Sequence, residues 1–126
     1  MVCIKPQKIK WSDSLDDIFR PLLFDDFDLI KNQVKTDICE LWQIEGCGFT
    51  ITRAELDHAG KPADFVFVVG VGQNALHVIN HFRAGAKKQG FRAFRIHSRR
   101  VGMGRYLKKI GFKPLETVYS LELKKK

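Results

Sequence analysis

The chain is short of several things, and each shortage narrows what it can be. No apolar stretch approaches the roughly 20 residues a membrane span requires. The opening Met1-Val2-Cys3-Ile4-Lys5-Pro6 lacks the charged-then-apolar order of a signal peptide. Cysteine is scarce. Cys3, Cys39 and Cys47 form neither a disulfide framework nor a metal-type spacing, so ordinary thiols in a reducing compartment are expected. Neither an internal repeat nor a linker breaks the sequence. These shortages point to a cytoplasmic protein without membrane contact.

Acid is missing from one half in particular. Residues 1–60 hold 7 Lys and Arg against 11 Asp and Glu, a balance of −4. Residues 61–126 hold 15 against 3, a balance of +12. A basic half of this kind attracts polyanions: nucleic acid, anionic lipid or a multiply phosphorylated cofactor. With 126 residues, 44% of them hydrophobic and ten of them Phe, the chain is expected to form a single domain, 1–126. A domain of that size buries about two-thirds of its surface.

The centre of the sequence runs from Asp64 to Pro114. The apolar run Phe65 to Val69 ends in Gly70-Val71-Gly72-Gln73-Asn74, which reads as a strand followed by a glycine-rich turn. An amphipathic segment from Ala75 to Gln89 follows, with Ala75, Val78, Ile79, Phe82 and Ala86 on one stripe. Gly90 closes it, Phe91–Ser98 reads as a strand, and Met103, Tyr106, Leu107 and Ile110 mark another helix. Gly111 is its stop, and Phe112 is expected to fold back as an anchor. A glycine-rich turn at a helix start can hold an anion, usually phosphate; the bland alternative is a flexible strand end.

Around that unit the elements are simpler. Val2–Ile9 reads as an edge strand with Pro6 in it. Ser12, Asp13 and Ser14 are N-cap candidates, and Ser14-x-x-Asp17 resembles a capping box. Pro21 is expected to break the helical pattern carried by Leu15 to Leu23, and Leu23, Phe27, Ile30 and Val34 carry a second stripe. Ile38–Ile44, Phe49–Leu56 and the 65–69 run make an antiparallel meander. The helix from Ala75 allows a parallel crossover, so the sheet is mixed. Leu115 to Leu123 alternates as a last strand. Trp11 and Trp42 suit either the core or a substrate groove. His77 and His81 have metal-ligand spacing, but no third ligand accompanies them, so no metal site is expected.

Arg105-Tyr106-Leu107-Lys108-Lys109-Ile110-Gly111-Phe112-Lys113-Pro114 resembles the second signature of the GNAT superfamily of acyl-CoA N-acyltransferases. Its wording is most similar to the small GNAT-like proteins of tailed phages. The resemblance implies an α/β fold: a GNAT-like mixed sheet with an antiparallel N-terminal meander and a β-α-β-α-β C-terminal half. It also implies an acetyltransferase using acetyl-CoA as cosubstrate, moving the acyl group to a small-molecule or protein amine by direct attack. By resemblance, Phe67, Val68 and Val69 pair with the pantetheine arm, while Gly70, Val71, Gly72, Gln73 and Asn74 hold the pyrophosphate. Arg99, Arg100 and Arg105 are placed for the adenosine phosphate.

An amine with a pKa of about 10.4 must lose a proton before it attacks. Glu55, Asp64 and His97 are the base candidates, and Tyr106 is the candidate acid for the leaving thiolate. The chain departs from the family pattern at several positions. Phe67 stands where the turn motif carries a basic or Gln residue, Arg100 replaces an Asn, and the catalytic-Tyr position falls on Leu107. Those departures favour a rival: a non-catalytic binding or structural protein on the same fold, possibly a phage component. A nucleic-acid-binding module ranks below both, because CoA explains the basic residues near the turn and no stacking-aromatic pattern accompanies them.

Overall fold

The computed structural model describes residues 3–96, 107–109 and 111–113. Among these residues five strands form one sheet in chain order: β1 (Pro6–Ile9), β2 (Glu40–Ile44), β3 (Gly48–Leu56), β4 (Pro62–Gly72) and β5 (Ala93–Ile96). The first four run antiparallel. β5 returns parallel to β4 through α3 (Ala75–Lys88), which makes the sheet mixed as the sequence predicts.

Helices α1 (Asp16–Leu23) and α2 (Phe27–Lys35) cover one face of the sheet. Their stripe of Phe19, Leu23, Phe27, Ile30 and Val34 meets Leu41 and Ile51. Trp11 joins them, its ring 5.4 Å from Phe19 and 5.9 Å from Phe27. α3 covers the other face, where Val78, Ile79 and Phe82 meet Ile44, Cys47 and Phe67. Burying a ring or branched side chain in either layer contributes about 1.5–3 kcal/mol. Trp42 belongs to this second layer, 5.7 Å from Phe82, and its indole N–H donates to Thr52 Oγ1 at 2.9 Å. Both tryptophans are packing residues.

The break between α1 and α2 falls three residues after Pro21, at Phe24, whose φ of 51° ends the first helix. The N-terminal caps differ from expectation. Asp13–Leu15 form a 3-10 turn before α1, and no side chain caps either element, so the Ser14-x-x-Asp17 capping box is not made. Ser12 and Ser14 hydroxyls instead meet each other at 3.0 Å.

The glycine-rich segment also differs. Gly70-Val71-Gly72 is not a turn but the end of β4, paired through Gly48↔Gly72. The two backbones touch there: a Cβ on Gly72 would overlap the Cys47 carbonyl, and one on Gly48 would overlap that of Val71. Glycine therefore extends this strand, because only a residue without Cβ permits the approach. Of the predicted α3 stripe, Val78, Ile79, Phe82 and Ala86 are buried, whereas Ala75 is exposed. It is the first residue of the helix.

Leu107–Lys109 are helical. Gly111 (φ 97°) donates to Lys108 O at 3.2 Å, and Phe112 donates to Leu107 O at 3.0 Å. This is a Schellman closure, which satisfies the last carbonyls of a helix. Phe112 then packs 5.9 Å from Phe94, the anchor expected of the Gly-Phe pair. The predicted last strand, Leu115–Leu123, lies outside the described residues.

Candidate functional site

β4 is used unequally along its two edges. Toward β3 it pairs from Pro62 to Gly72. Toward β5 the described pairs run from Asp64↔Ala93 to Phe67↔Ile96. Among the described residues, then, Val68 to Gly72 present an edge of backbone N–H and C=O groups that no strand occupies. Such an edge accepts an extended ligand by the same hydrogen bonds a strand would use.

The strand changes register where that edge begins. Ile51 faces Val69 and Thr52 faces Phe67, so Val68 is an extra residue, a β-bulge. Bulges re-aim side chains and bend a strand. Here Val68 and Val69 both pack toward the α1–α2 layer. Phe67, just before the bulge, points the other way and is buried beside Phe82 and Phe94. Its ring runs under Gly70, where a Cβ would stand 3.0 Å from Phe67 Cζ.

Beyond β4 the chain turns sharply into α3. Gln73 donates its N–H to Cys47 O at 2.6 Å. Asn74 adopts the left-handed conformation (φ 60°, ψ 38°) as the N-cap, but its side chain does not cap the helix. Its amide instead donates to Cys47 Sγ at 3.6 Å. The first bond of the helix is Val78 N–H to Asn74 O at 3.0 Å. The first-turn amides of this 14-residue helix are therefore uncapped by any side chain, with no acidic residue beside them. That leaves the positive end of the helix dipole for an anion. Gly70, Gly72, Gln73 and Asn74 are all exposed around it.

Alongside the described β4–β5 pairs sits an ion-pair network that the sequence did not reveal. Arg53 and Glu55 share one face of β3, Arg95 comes from β5 and Asp64 from β4. Arg95 Nη2 lies 2.6 Å from Glu55 Oε1, and Arg53 Nη2 lies 3.2 Å from Glu55 Oε2. Arg95 Nε is 3.1 Å from Asp64 Oδ2, an ion pair whose angle is too poor for a hydrogen bond. The i, i+2 spacing of Arg53 and Glu55 was a signal; their meeting with Arg95 depends on register. Cys39 lies near this network, and burial pushes its thiol above the ordinary value, with Arg53 opposing.

Of the residues singled out from sequence, Val68, Val69, Gly70, Val71, Gly72, Gln73 and Asn74 line one continuous edge and corner. Phe67 is the last β4 residue paired with β5 among the described residues. Glu55 is half-buried, with both oxygens engaged by guanidinium groups. His97, Tyr106, Arg99, Arg100 and Arg105 lie outside the described residues. His77 and His81 are exposed, and no cluster that could hold a metal occurs among the described residues. Among those residues, too, no helix is long and apolar enough to cross a membrane. Cys47, which contacts both residues of the corner, is the participant that sequence reasoning missed.

No protein-family model matches the sequence, and no curated protein matches it either. Solved structures do resemble the fold. A ribosomal-protein-alanine N-acetyltransferase from Brucella melitensis biovar Abortus 2308 superimposes with a TM-score of 0.60 at 16% identity, covering 97% of this chain and 100% of that one. A metagenomic aminoglycoside acetyltransferase, meta-AAC0020, solved with sisomicin, gives 0.58 at 12% identity, covering 98% and 97%. A probable acetyltransferase gives 0.53 at 12% identity, covering 95% and 99%.

Proposed function

We propose, from the premise that this chain has the GNAT fold, that it transfers an acyl group, acetyl by preference, from acyl-CoA to an amine. One observation carries the reading: among the described residues β4 continues five residues past its pairing with β5 and turns at Gln73 and Asn74 into an uncapped helix start. An extended pantetheine arm fits the edge at Val68 and Val69. A diphosphate fits the amides from Gly70 to Asn74 and the first turn of α3. Arg100 and Arg105 are assigned to the adenosine phosphate.

The bound thioester supplies an activated carbonyl. The rest falls to the chain. His97 or Glu55 takes a proton from the acceptor ammonium, freeing the nitrogen lone pair. As the N–C bond forms, backbone N–H groups on the open edge of β4 stabilise the oxyanion. The C–S bond then breaks, and Tyr106 protonates the departing thiolate. The acceptor is a small-molecule or protein amine, and the setting is the cytoplasm, where free cysteines stay reduced.

A second reading has its own observation. Glu55 is held by two guanidinium groups, which suits an architectural carboxylate better than a base. On that reading the fold binds CoA, or another partner, without turnover. Thermal unfolding with acetyl-CoA tests both. At about 100-fold over its Kd the ligand adds about 2.7 kcal/mol of stability. No shift at millimolar acetyl-CoA removes the transferase; a shift without acetylation of an amine panel leaves the non-catalytic binder.

A further inference from the structure

From Phe65 to Leu115 the chain contains no Asp or Glu, yet it carries eleven Lys and Arg. A diphosphate and a phosphomonoester at one end of α3 account for only part of that charge. The surplus collects at the other end. Two adjoining hollows of about 340 and 300 Å³ lie between the C-terminal half of α3, the start of β5 and the turn at Gly111, and both are bordered by Arg83 and Phe94. Lys87 and Arg92 line one and Lys113 the other. All four cations are exposed, and none pairs with a described acid.

Between these cations stand Phe91, Phe94 and Phe112, each half-buried. Phe91 and Phe94 lie against Phe65, at 5.4 and 5.7 Å, and Phe112 lies 5.9 Å from Phe94; all three border the hollows. Cations alternating with partly open rings match a strand of phosphates and unpaired bases. A duplex, its bases stacked inside, would use the cations only. Arg83 and Lys87 lie about 12 to 18 Å along α3 from its first residue, so this groove is separate from the corner at Asn74.

We propose that the groove binds single-stranded nucleic acid, with phosphates on Arg83, Lys87, Arg92 and Lys113 and bases against Phe91, Phe94 and Phe112. This revises the ranking drawn from sequence, where no aromatic pattern was visible: the three rings come from separate segments that only the fold assembles. The inference stands whether or not the chain transfers acyl groups.

Fluorescence anisotropy of the full chain with a labelled oligodeoxythymidylate of about 20 nucleotides tests it, beside the matching oligouridylate. Four phosphate contacts give a salt slope of about −2.8, so affinity falls roughly 50-fold between 50 and 200 mM salt. The paired change Arg83→Ala with Lys87→Ala lowers that slope by about 1.4. Phe91→Leu, which keeps the apolar volume, weakens binding several-fold at an unchanged slope. Saturating CoA leaves the oligonucleotide bound. No binding at 50 mM salt overturns the proposal, as does displacement by CoA. Equal affinity for heparin together with an unaffected Phe91→Leu variant overturns it too, reducing the groove to a generic polyanion patch.

Discussion

The two edges of β4 share one backbone and opposite fates. Toward β3, eight of its eleven residues are matched across two register shifts, with glycine facing glycine where the strands close. Toward β5, four residues are matched among the described residues and five stand beyond them. The first edge is fixed by contacts a single methyl would disrupt. The second is matched over four residues only among those described, and the proposed ligand would take the place of a strand there. A fold that must hold an extended molecule gains from this asymmetry, because the closed edge keeps the open one in place.

The comparison breaks most visibly at Gly72. Gly72→Ala puts a Cβ into the Cys47 carbonyl at a φ of 127°, and a loss of about 3 kcal/mol or more is expected by urea denaturation. A loss under about 1 kcal/mol would mean that the closed edge is not what holds the strand. Arg95→Gln probes the other side, directly below the open edge. It removes the guanidinium that Glu55 and Asp64 share, leaving Glu55 to Arg53. For a half-buried network this costs about 1–2 kcal/mol, and an unchanged midpoint would show the network to be dispensable.

The smallest effect sharpens the comparison by lying away from both edges. Hydrogen bonds from Lys31 and then Trp11 hold the Asp16 carboxyl below its ordinary value of 3.8. Because the folded value is depressed, the stabilisation is complete above 3.8 and disappears as pH falls through the lowered value. Melting temperatures followed from about pH 5 to about pH 2 should fall more steeply in the wild type than in Asp16→Asn. Parallel curves would show that the pairing contributes nothing.

The helices and the meander were readable because their periods are local. Val78, Ile79, Phe82 and Ala86 announce a buried face by spacing alone, and Gly111-Phe112 announces a helix end. The segment from Gly70 to Gly72 was misread because Gly72 answers to Gly48 and Gly70 to Thr50, about twenty residues or more earlier, rather than to a turn of their own. The caps were misread for a related reason: Ser14 and Asp17 satisfy a pattern, but the 3-10 turn before α1 moves the helix start. Of the candidate site, the corner was visible as a glycine-rich stretch before an amphipathic helix. Its support was not. Cys47 reaches Asn74 across 27 residues and Arg95 reaches Glu55 across 40. Such meetings depend on register, which no local pattern encodes.

The extra residue at Val68 sets a condition on rebuilding this protein. Inserting one position swaps odd for even, so the lower half of β4 offers its side chains on one parity and the upper half on the other. A chimera that borrowed a straight donor strand here would deliver half its residues to the wrong layer. Any graft must therefore bring its own irregularity or be cut at Val68.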